Sequence, residues 1–410
     1  MKSKFIQIHF LTSYPAALLN RDDAGFAKRI PFGGVTRTRI SSQCQKRHWR
    51  LFSGDHSLSK LDVPVSIRSR YTFERFIYEP LVKEGVPQKI AQSATQAIIA
   101  VILGKSEKKE KMEKAKKLKA QEEVANNPKE EVVELKTRQL TVLGHPEVDY
   151  LLTLARELYK ANAEPEKFLK ILKEKLAKDG EKNLKALRRA AGLDAALFGR
   201  MVTSDILSRG DAAVHVAHAF TVHSESSETD YFSAMDDLQK KMEGEGLGSG
   251  HINTTELNSG LYYGYVVVDV PLLVSNLEGC LPRDWEKADP TLASCVVQSL
   301  IHLIATVSPG AKVGSTAPYG YASMVLTETG NMQPRSFANA FLKPVKETPD
   351  LLTNAYEALN QYICDLDAMY GNPPTRRLAA IGITKELENN VEKAKKLTLV
   401  DLAKNTSEMS

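Results

Sequence analysis

The sequence contains few cysteines, and none of them lies close to another. Among 410 residues there are four, Cys44, Cys280, Cys295 and Cys364, and no CxxC pair occurs. A disulfide framework or a finger-type zinc site requires cysteines at short, regular spacings. Both are therefore excluded as the source of stability. The cysteine content fits a protein of the reducing cytoplasm, and we expect no metal or other cofactor.

Long apolar runs are also absent. The first residues resemble a signal peptide because lysines precede apolar side chains, but Gln7, His9, Thr12 and Ser13 interrupt the apolar run. No stretch of the chain is long and apolar enough to span a bilayer. The sequence therefore predicts neither export nor a membrane partner.

The net charge is too small for a protein that coats nucleic acid through bulk charge alone. Lysine and arginine number 55 against 50 acidic residues, which gives a net charge of +5 at pH 7 and a pI near 8.7. Any site for a polyanion must therefore be a local cluster. The rest of the composition, with 42% hydrophobic and 26% charged residues, is that of a globular protein with room for two lobes.

The first half of the chain predicts a sheet domain that a helical lobe interrupts. Apolar and polar residues alternate at 6–10 and again at 36–40, which is typical of strands. Ser41 or Ser42 can cap the helix that follows. Amphipathic helices then dominate to about residue 195. Their mixed Lys/Glu run at 104–123 is more typical of a solvated helix face than of an RNA-binding arm.

Strand patterns return at 211–223 and 260–274. An apolar helix at 294–307 and a glycine-rich turn at 308–320 then lead to a last strand. This order predicts an α+β fold, an RRM-like (ferredoxin-like) sheet with a helical insertion. The expected divisions are a sheet domain at 1–60 and 196–345, a helical lobe at 61–195 and a C-terminal helical segment at 346–410.

The strongest functional signal is the stretch RTRISSQCQKRHWR at 37–50, which carries five lysines or arginines and no acidic residue. On a helix, four of its side chains follow an i, i+3, i+4, i+7 spacing and share one face; they are Gln43, Lys46, Arg47 and Arg50. The start of such a helix can hold a phosphate, and its cations can follow a nucleic-acid backbone. The competing interpretation is a basic surface helix that pairs with acidic residues elsewhere.

Three other motifs give weaker signals. Asp22 and Asp23 could bind a metal or cut RNA, but adjacent aspartates without a third ligand are more typical of turns and ion pairs. The three histidines within 215–223 lie on a strand pattern that separates the first two, which argues against a metal site. The segment GAKVGST at 310–316 lacks the Gly-Lys-Ser/Thr run of a phosphate loop, although Lys312 could still lie close to a bound backbone.

The interval 224–259 is a polar projection between two strands, and it contains Tyr231, Phe232 and Met235. Such a projection could insert its side chains between bases, where stacking contributes on the order of 1–3 kcal/mol per base. The alternative is a small hydrophobic anchor that fastens a long loop to its own domain.

The residues that carry a family resemblance form several sequence blocks, which are spread over nearly the whole chain. The longest is LNRDDAGFAKRIPFGGVTRTRISSQCQKRHWR at 19–50, and the shorter ones are FIQIHFL, GRMVTSD, VAHAFTVHS, DYFSAMDDL, ELNSGLYYGY, PGAK and FANAF. With these blocks the chain resembles the Cascade backbone subunit of type I-E CRISPR systems, the CasC family within the RNA-binding RAMP superfamily. The helical lobe matches only in kind.

The resemblance implies a hand-like subunit with the sheet as palm, the helical lobe as fingers and a β-hairpin thumb formed by 224–259. Several copies would stack as a helical filament along one CRISPR RNA, together with other Cascade subunits. Each thumb would displace a base and leave the bases between free to pair with a target DNA strand. The RNA-binding residues carried over by the resemblance are Arg21, Lys28, Ser41, Gln43, Lys46 and Arg50 for the backbone, and Met201, Tyr231 and Phe232 for the bases.

Two rival functions remain open at this point. One is a metal-dependent RNA endonuclease subunit that cuts bound target RNA with Asp22 or Asp23. The other is an RRM-type RNA chaperone that acts as a monomer. We expect no enzymatic activity, because nothing in the sequence supplies a general base or a pair of metal sites.

Overall fold

The structure is a computed structural model that describes residues 3–61, 63–103, 135–162, 164–180, 192–200, 210–235, 249–371, 373–382 and 395–408. The chain forms two compact units. The first comprises Met1–Lys60, Val214–Val270 and Pro290–Ser410, and the second comprises Leu61–Ala213 and Pro271–Asp289. No described helix has the length and apolar character needed to cross a membrane.

Both helices and strands build the protein. The strands are β1 (Phe5–Ala17), β2 (Arg29–Phe32), β3 (Val35–Ile40), β4 (Ser66–Ser69), β5 (Thr141–Gly144), β6 (Val214–Val216), β7 (Ala219–Thr221), β8 (Ser226–Met235), β9 (Ser249–Asp269), β10 (Ala322–Gly330), β11 (Thr375–Ala380) and β12 (Lys395–Lys396). The helices are α1 (Ser42–Leu51), α2 (Glu79–Lys83), α3 (Gln88–Ile102), α4 (His145–Ala161), α5 (Pro165–Lys175), α6 (Leu193–Phe198), α7 (Val270–Glu278), α8 (Thr291–Thr306), α9 (Val313–Thr316), α10 (Leu351–Tyr370) and α11 (Leu399–Ser407).

The first unit is built on one large sheet. Its strand order is β12-β11-β10-β1-β9-β7-β3-β2, and β6 and β8 also pair with β9. Every described pairing in it is antiparallel except the one between β11 and β12. The predicted α+β class is therefore confirmed.

The alternating pattern at 6–10 does form a strand, β1, which lies between β9 and β10. Its polar side chains do not face solvent, however, since Gln7 and His9 are buried. His9 Nδ1 lies 2.9 Å from the hydroxyl of Tyr263, and Gln7 Oε1 accepts the backbone N–H of Arg335 at 2.7 Å. These partners explain how polar side chains can be buried here, so that both faces of the strand are covered.

Strand β9 is 21 residues long and serves two structures. Its C-terminal part pairs with β1 on one side and with β6 and β7 on the other. Its N-terminal part pairs with β8, from Ser226 opposite Ser259 to Met235 opposite Ser249. An antiparallel strand pair therefore occupies the projection expected between the two strand patterns.

Two strand boundaries differ from the prediction. The strand expected at 260–274 ends at Asp269, and α7 begins directly after it. Pro271 favours this change because proline suits a first helical turn and cannot donate to a sheet. The pattern at 211–223 forms two short strands, which pair with β9 in registers that differ by one residue. The Ala217 N–H still donates to the carbonyl of Tyr265 at 2.9 Å in the register of β6, whereas β7 places Phe220 opposite Tyr263.

The segment 346–410 contains strands as well as helices, so the prediction of a purely helical segment is wrong. Strand β11 pairs with β10, which was expected to be the last strand. Arg376 on β11 donates to Glu328 on β10 (Nε–Oε1 2.8 Å) and to Asp367 on α10 (Nη2–Oδ1 2.8 Å). The buried guanidinium requires these carboxylates, and its local sequence gives no sign of them.

The second unit is chiefly helical in its described part, with α2–α5 around an apolar core that includes Phe73, Ile98, Leu151 and Phe168. Strands β4 and β5 form a separate antiparallel pair in it. The Lys/Glu run at 104–123 lies outside the described residues, so its predicted role is not tested.

Arg37 on β3 is fully buried at 0% exposure. Its guanidinium donates to three backbone carbonyls, those of Phe32 (3.2 Å), Thr221 (3.0 Å) and Phe341 (2.9 Å). It therefore fastens β3 to chain segments that lie 184 and 304 residues away in sequence. Arg37, one of the five cations of 37–50, is therefore not available to a phosphate, because its donors are used inside the protein.

Replacement of Arg37 by methionine tests this structural role. The variant Arg37→Met keeps most of the side-chain volume but leaves three buried carbonyls without their donor. We expect the free energy of unfolding to fall by about 3 kcal/mol, measured by urea denaturation followed by circular dichroism. The matched variant Arg47→Met, at an exposed position, should change it by less than about 0.5 kcal/mol. Equal midpoints for Arg37→Met and the native protein would contradict the assignment.

Candidate nucleic-acid interface

Asn20 holds the segment 18–28 against the start of α1. Its carbonyl accepts the N–H of Lys28 at 2.9 Å, and its side-chain Oδ1 accepts the N–H of Ser41 at 2.9 Å. The Ser41 hydroxyl in turn accepts the N–H of Cys44 at 3.3 Å and caps the helix. Two of the predicted backbone-binding residues, Lys28 and Ser41, are thus brought together around one asparagine.

Helix α1 buries one face and presents the other, as its spacing predicts. Trp49 is buried, whereas Gln43 and Arg47 are exposed. Lys46 and Arg50 are half-buried, and each already contacts other groups of the protein. The helix therefore offers a surface with cationic side chains that its own packing helps to orient.

The pKa values of two neighbouring groups report a positive potential at this surface. Burial raises the pKa of Cys44 to about 11, against the opposing effect of the positive charges of Lys28 and Arg47. The pKa of His218 is lowered by burial and then by the charges of Arg39 and Lys28. The Cys44 thiol is neutral at pH 7, so no thiolate cancels these cations, and the His218 imidazole is held in its neutral form beside them. An anion bound here would gain from the remaining positive charge.

A cavity of about 500 Å³ lies beside α1, within the size range of small-ligand sites. Its walls are Leu19, Asn20, Arg21, Asp22, Asp23, Gly25, Cys44, His48, Gly310 and Ala311. His48 joins α1 to the glycine-rich turn, because its Nδ1 donates to the carbonyl of Cys44 (2.8 Å) and its Nε2 accepts the N–H of Gly310 (3.4 Å). The exposed side chain of Arg21 lies on the wall of the same cavity.

The two aspartates of the cavity differ in their contacts. Asp22 closes a turn, since its Oδ1 accepts the N–H of Phe26 at 2.9 Å and its own N–H donates to the Phe26 carbonyl at 2.8 Å. Asp23 is exposed. In the part of the chain that the structure describes, no group of three or more His, Cys, Asp or Glu side chains is arranged to hold a metal ion. The contacts of Asp22 match the turn-forming role that the sequence favoured.

The paired strands β8 and β9 carry the predicted base-contacting residues. Tyr231 is 62% exposed and lies opposite Thr254. Phe232 lies opposite Asn253 in the same ladder, but its side chain is outside what the structure describes. Met201 lies outside the described residues altogether. The exposed ring of Tyr231 is thus available to a ligand, and the other two assignments stay predictions.

Ionic contacts fix the base of this strand pair to the segment that precedes α1. Arg29 forms ion pairs with both Glu225 and Glu256. Glu256 also accepts the N–H of Ala27 at 2.9 Å, which anchors the neighbouring backbone. Arg29 is therefore neutralised internally, and the strand pair keeps one position relative to Lys28 and α1.

Three contributors to this surface were not singled out as site residues by the sequence. Asn20 directly precedes Arg21, Asp22 and Asp23, whose charges give the stronger sequence signal. An asparagine side chain can nevertheless bridge backbone groups, because it carries both a donor and an acceptor. His48 stands four residues after Cys44 on α1, a spacing that places both on the cavity side. Gly310 belongs to the glycine-rich turn, where the absence of side chains lets the main chain approach other groups closely. The sequence predicted such an approach for a bound nucleic-acid backbone near Lys312.

Comparisons with known proteins show the family and the fold of this chain. A family model described as "CT1975-like protein" (Cas_CT1975) matches residues 6–405. The chain belongs to this family of CRISPR-associated proteins. The resemblance seen in the sequence is thereby confirmed at the level of the family, and the match includes both the 18–28 segment and α1.

Two solved structures share the fold of the CT1975-like chain. One, titled "CRISPR RNA-guided surveillance complex, pre-nicking", has a TM-score of 0.73 at 24% identity and covers 98% of this chain and 100% of its own. Another, titled "CRISPR RNA-guided surveillance complex", has a TM-score of 0.65 at 21% identity and covers 98% of this chain and 99% of its own. The comparison with curated proteins gave no match.

The cationic face of α1 can be tested by its salt dependence. The single variants Lys46→Ala and Arg50→Ala should each reduce the slope of log K against log salt for single-stranded RNA binding by about one, because each removes one phosphate contact. Fluorescence anisotropy titrations at several salt concentrations measure the slope. Lys404→Ala, an exposed position on α11, is the matched control. Slopes equal to that of the native protein would show that the phosphates bind elsewhere.

Proposed function

We propose that the protein is a non-catalytic backbone subunit of a type I-E Cascade antiviral surveillance complex and that it binds the CRISPR RNA. Membership of the CT1975-like family over residues 6–405 carries the proposal. The positive surface formed by Lys28, Arg47 and the rest of α1 supports it physically. So do the two similar structures, both described as a CRISPR RNA-guided surveillance complex.

In this proposal the large sheet of the first unit is the RRM-like palm, the helical second unit forms the fingers, and β8 with the N-terminal part of β9 forms the thumb. The grip on the RNA backbone would come from Arg21, Lys28, Ser41, Gln43, Lys46 and Arg50. The thumb would contribute Tyr231 and Phe232 as base contacts, and Met201 is the third proposed base contact. The exposed ring of Tyr231 and the capped start of α1 are the structural features that support these roles.

A guide-binding subunit must accept any spacer sequence. It should therefore bind phosphate and sugar, which carry no sequence information, and leave most base edges free. Sequence recognition is then left to pairing between the guide and the target DNA strand. A surface of cations and a helix N-terminus fits this division, because neither distinguishes one base from another.

Several copies along one guide would form a filament, since head-to-tail contacts that do not close produce an open helical assembly. The partners would be the CRISPR RNA, further copies of the protein, other Cascade subunits and the target DNA paired to the guide. The length of the RNA and the subunits at the two ends would limit the filament.

The passive role separates from the nuclease alternative in one assay. The purified protein is incubated with a CRISPR RNA and a matching target RNA, with and without magnesium, and both RNAs are followed on a denaturing gel. We expect both to remain intact. Evenly spaced cuts in the target that disappear in Asp22→Ala or Asp23→Ala would instead establish the protein as an endonuclease.

The thumb assignment makes a separate prediction. The double variant Tyr231→Ala, Phe232→Ala should keep the salt slope of RNA binding but lose the periodic base protection along the guide, because the phosphate contacts remain and the wedge is gone. Base-specific chemical probing of the bound RNA measures this protection. The control is Thr229→Ala, an exposed position on the same strand. Periodic protection that survives the double variant would place the wedge elsewhere.

A further inference from the structure

The turn between α8 and β10 carries two unusually exposed aromatic rings. Tyr319 is 77% exposed and Tyr321 is 72% exposed. These values exceed those of every other tyrosine, phenylalanine or tryptophan side chain in the described part of the chain. Exposed aromatic rings grouped together are typical of recognition surfaces, because tyrosine combines a large apolar face with a polar tip.

Close packing holds the backbone between the two rings in place. The Ser308 hydroxyl accepts the N–H of Gly320 at 3.0 Å and donates to its carbonyl at 2.9 Å. Gly320 packs so tightly that a Cβ atom there would lie 2.7 Å from the carbonyl oxygen of Ser13 and 3.0 Å from the ring of Tyr14. The two tyrosines are thus presented to solvent from a fixed segment, which lowers the entropy lost on binding a ligand.

The rest of the turn is also constrained. Ala317 adopts a φ of +39°, a left-handed conformation that costs energy in a residue other than glycine. The Tyr319 N–H donates to the Ala317 carbonyl at 2.7 Å, and the Thr316 hydroxyl donates to the carbonyl of Lys312 at 2.8 Å. Strain of this kind is retained where the surrounding structure enforces it, often at functional sites.

The start of the turn contacts the elements that carry the positive cluster. The N–H of Ala311 donates to the carbonyl of Leu18 at 2.9 Å, directly before the 19–50 segment. The N–H of Gly310 donates a hydrogen bond to His48 of α1. Gly310 and Ala311 both line the cavity, as Arg21 does. Lys312 contacts Thr255 on β9, which lies opposite Asp230 in the β8–β9 pair. The turn that carries the tyrosines therefore contacts both parts of the candidate interface.

We propose that Tyr319 and Tyr321 form a second stacking element that contacts bases of the bound guide RNA. This inference rests on the proposed function. Cations that hold the phosphates leave the bases to project from the backbone, and an aromatic ring accepts any base because every base has a π-face. Tyrosine is also enriched at protein–protein hot spots, but the turn that carries these two rings contacts the cationic segment 18–28 through Ala311 and helix α1 through Gly310. These properties favour nucleic acid over a protein as the occupant.

Substitution separates ring stacking from other roles. Tyr319→Ala and Tyr321→Ala should each weaken guide RNA binding about five- to tenfold at fixed salt, with an unchanged salt slope because no phosphate contact is lost. Tyr→Phe at either position should bind like the native protein, whereas Tyr→Leu should bind like the alanine variant. Rescue by leucine would overturn the proposal, since it would indicate an apolar contact without stacking. Native affinity in both alanine variants would also overturn it.

The controls distinguish this inference from the proposed function. Tyr370→Ala removes a tyrosine that is 60% exposed at the end of α10, and it should leave the affinity unchanged. If Lys46→Ala and Arg50→Ala lower the salt slope while the Tyr319 and Tyr321 variants bind normally, only the stacking inference fails. If the native protein does not bind guide RNA, the proposed function fails and this inference fails with it.

Photocrosslinking locates the contact directly. Guide RNA with 5-iodouridine in place of uridine is bound to the native protein, irradiated and analysed by mass spectrometry of the crosslinked peptides. The expected crosslinks are to Tyr319 or Tyr321, and they should persist when a complementary target DNA strand is absent. Crosslinks confined to Tyr231, or crosslinks at the turn that appear only with target DNA, would overturn the assignment to the guide.

Discussion

The first unit depends on a single long strand that is both core and projection. The C-terminal part of β9 lies between β1 and the pair β6 and β7, where Tyr262 and Val266 are buried. Its N-terminal part continues without a break into the ladder with β8. A projection formed by the same strand as the core cannot turn freely, because any rotation would disrupt the pairing of the sheet. Arg29 adds a second restraint through its ion pairs with Glu225 and Glu256.

Charge is divided between the inside and the surface of this unit. The guanidinium of Arg37 donates hydrogen bonds to three backbone carbonyls and so fixes β3, the strand that leads into α1. The following turns of chain place Lys46, Arg47 and Arg50 on α1, whose start is capped by Ser41 and held by Asn20. One arginine thus secures the framework, and the cations after it offer the polyanion site that a net charge of only +5 required to be local.

Local patterns predicted the elements whose signals lie within a few residues. The alternation in β1 and the Ser41 cap both follow from neighbours along the chain. What could not be predicted depends on distant partners. The burial of Arg37 requires the carbonyls of Thr221 and Phe341, and β11 joins the sheet partly because Arg376 meets Glu328. Neither set of contacts can be read from the spacing of neighbouring residues. For this reason the sequence counts Arg37 among the cations of the interface and does not predict β11 and β12.

The central claim is that this chain holds a guide RNA as a multi-copy backbone. The most direct test is the mass of the complex, measured by multi-angle light scattering, on CRISPR RNAs of increasing spacer length. The account predicts that the mass rises in steps of one 45.4 kDa subunit at regular increments of RNA length. A constant mass of one protein per RNA, whatever the length, would contradict it and would favour the monomeric RNA-chaperone alternative.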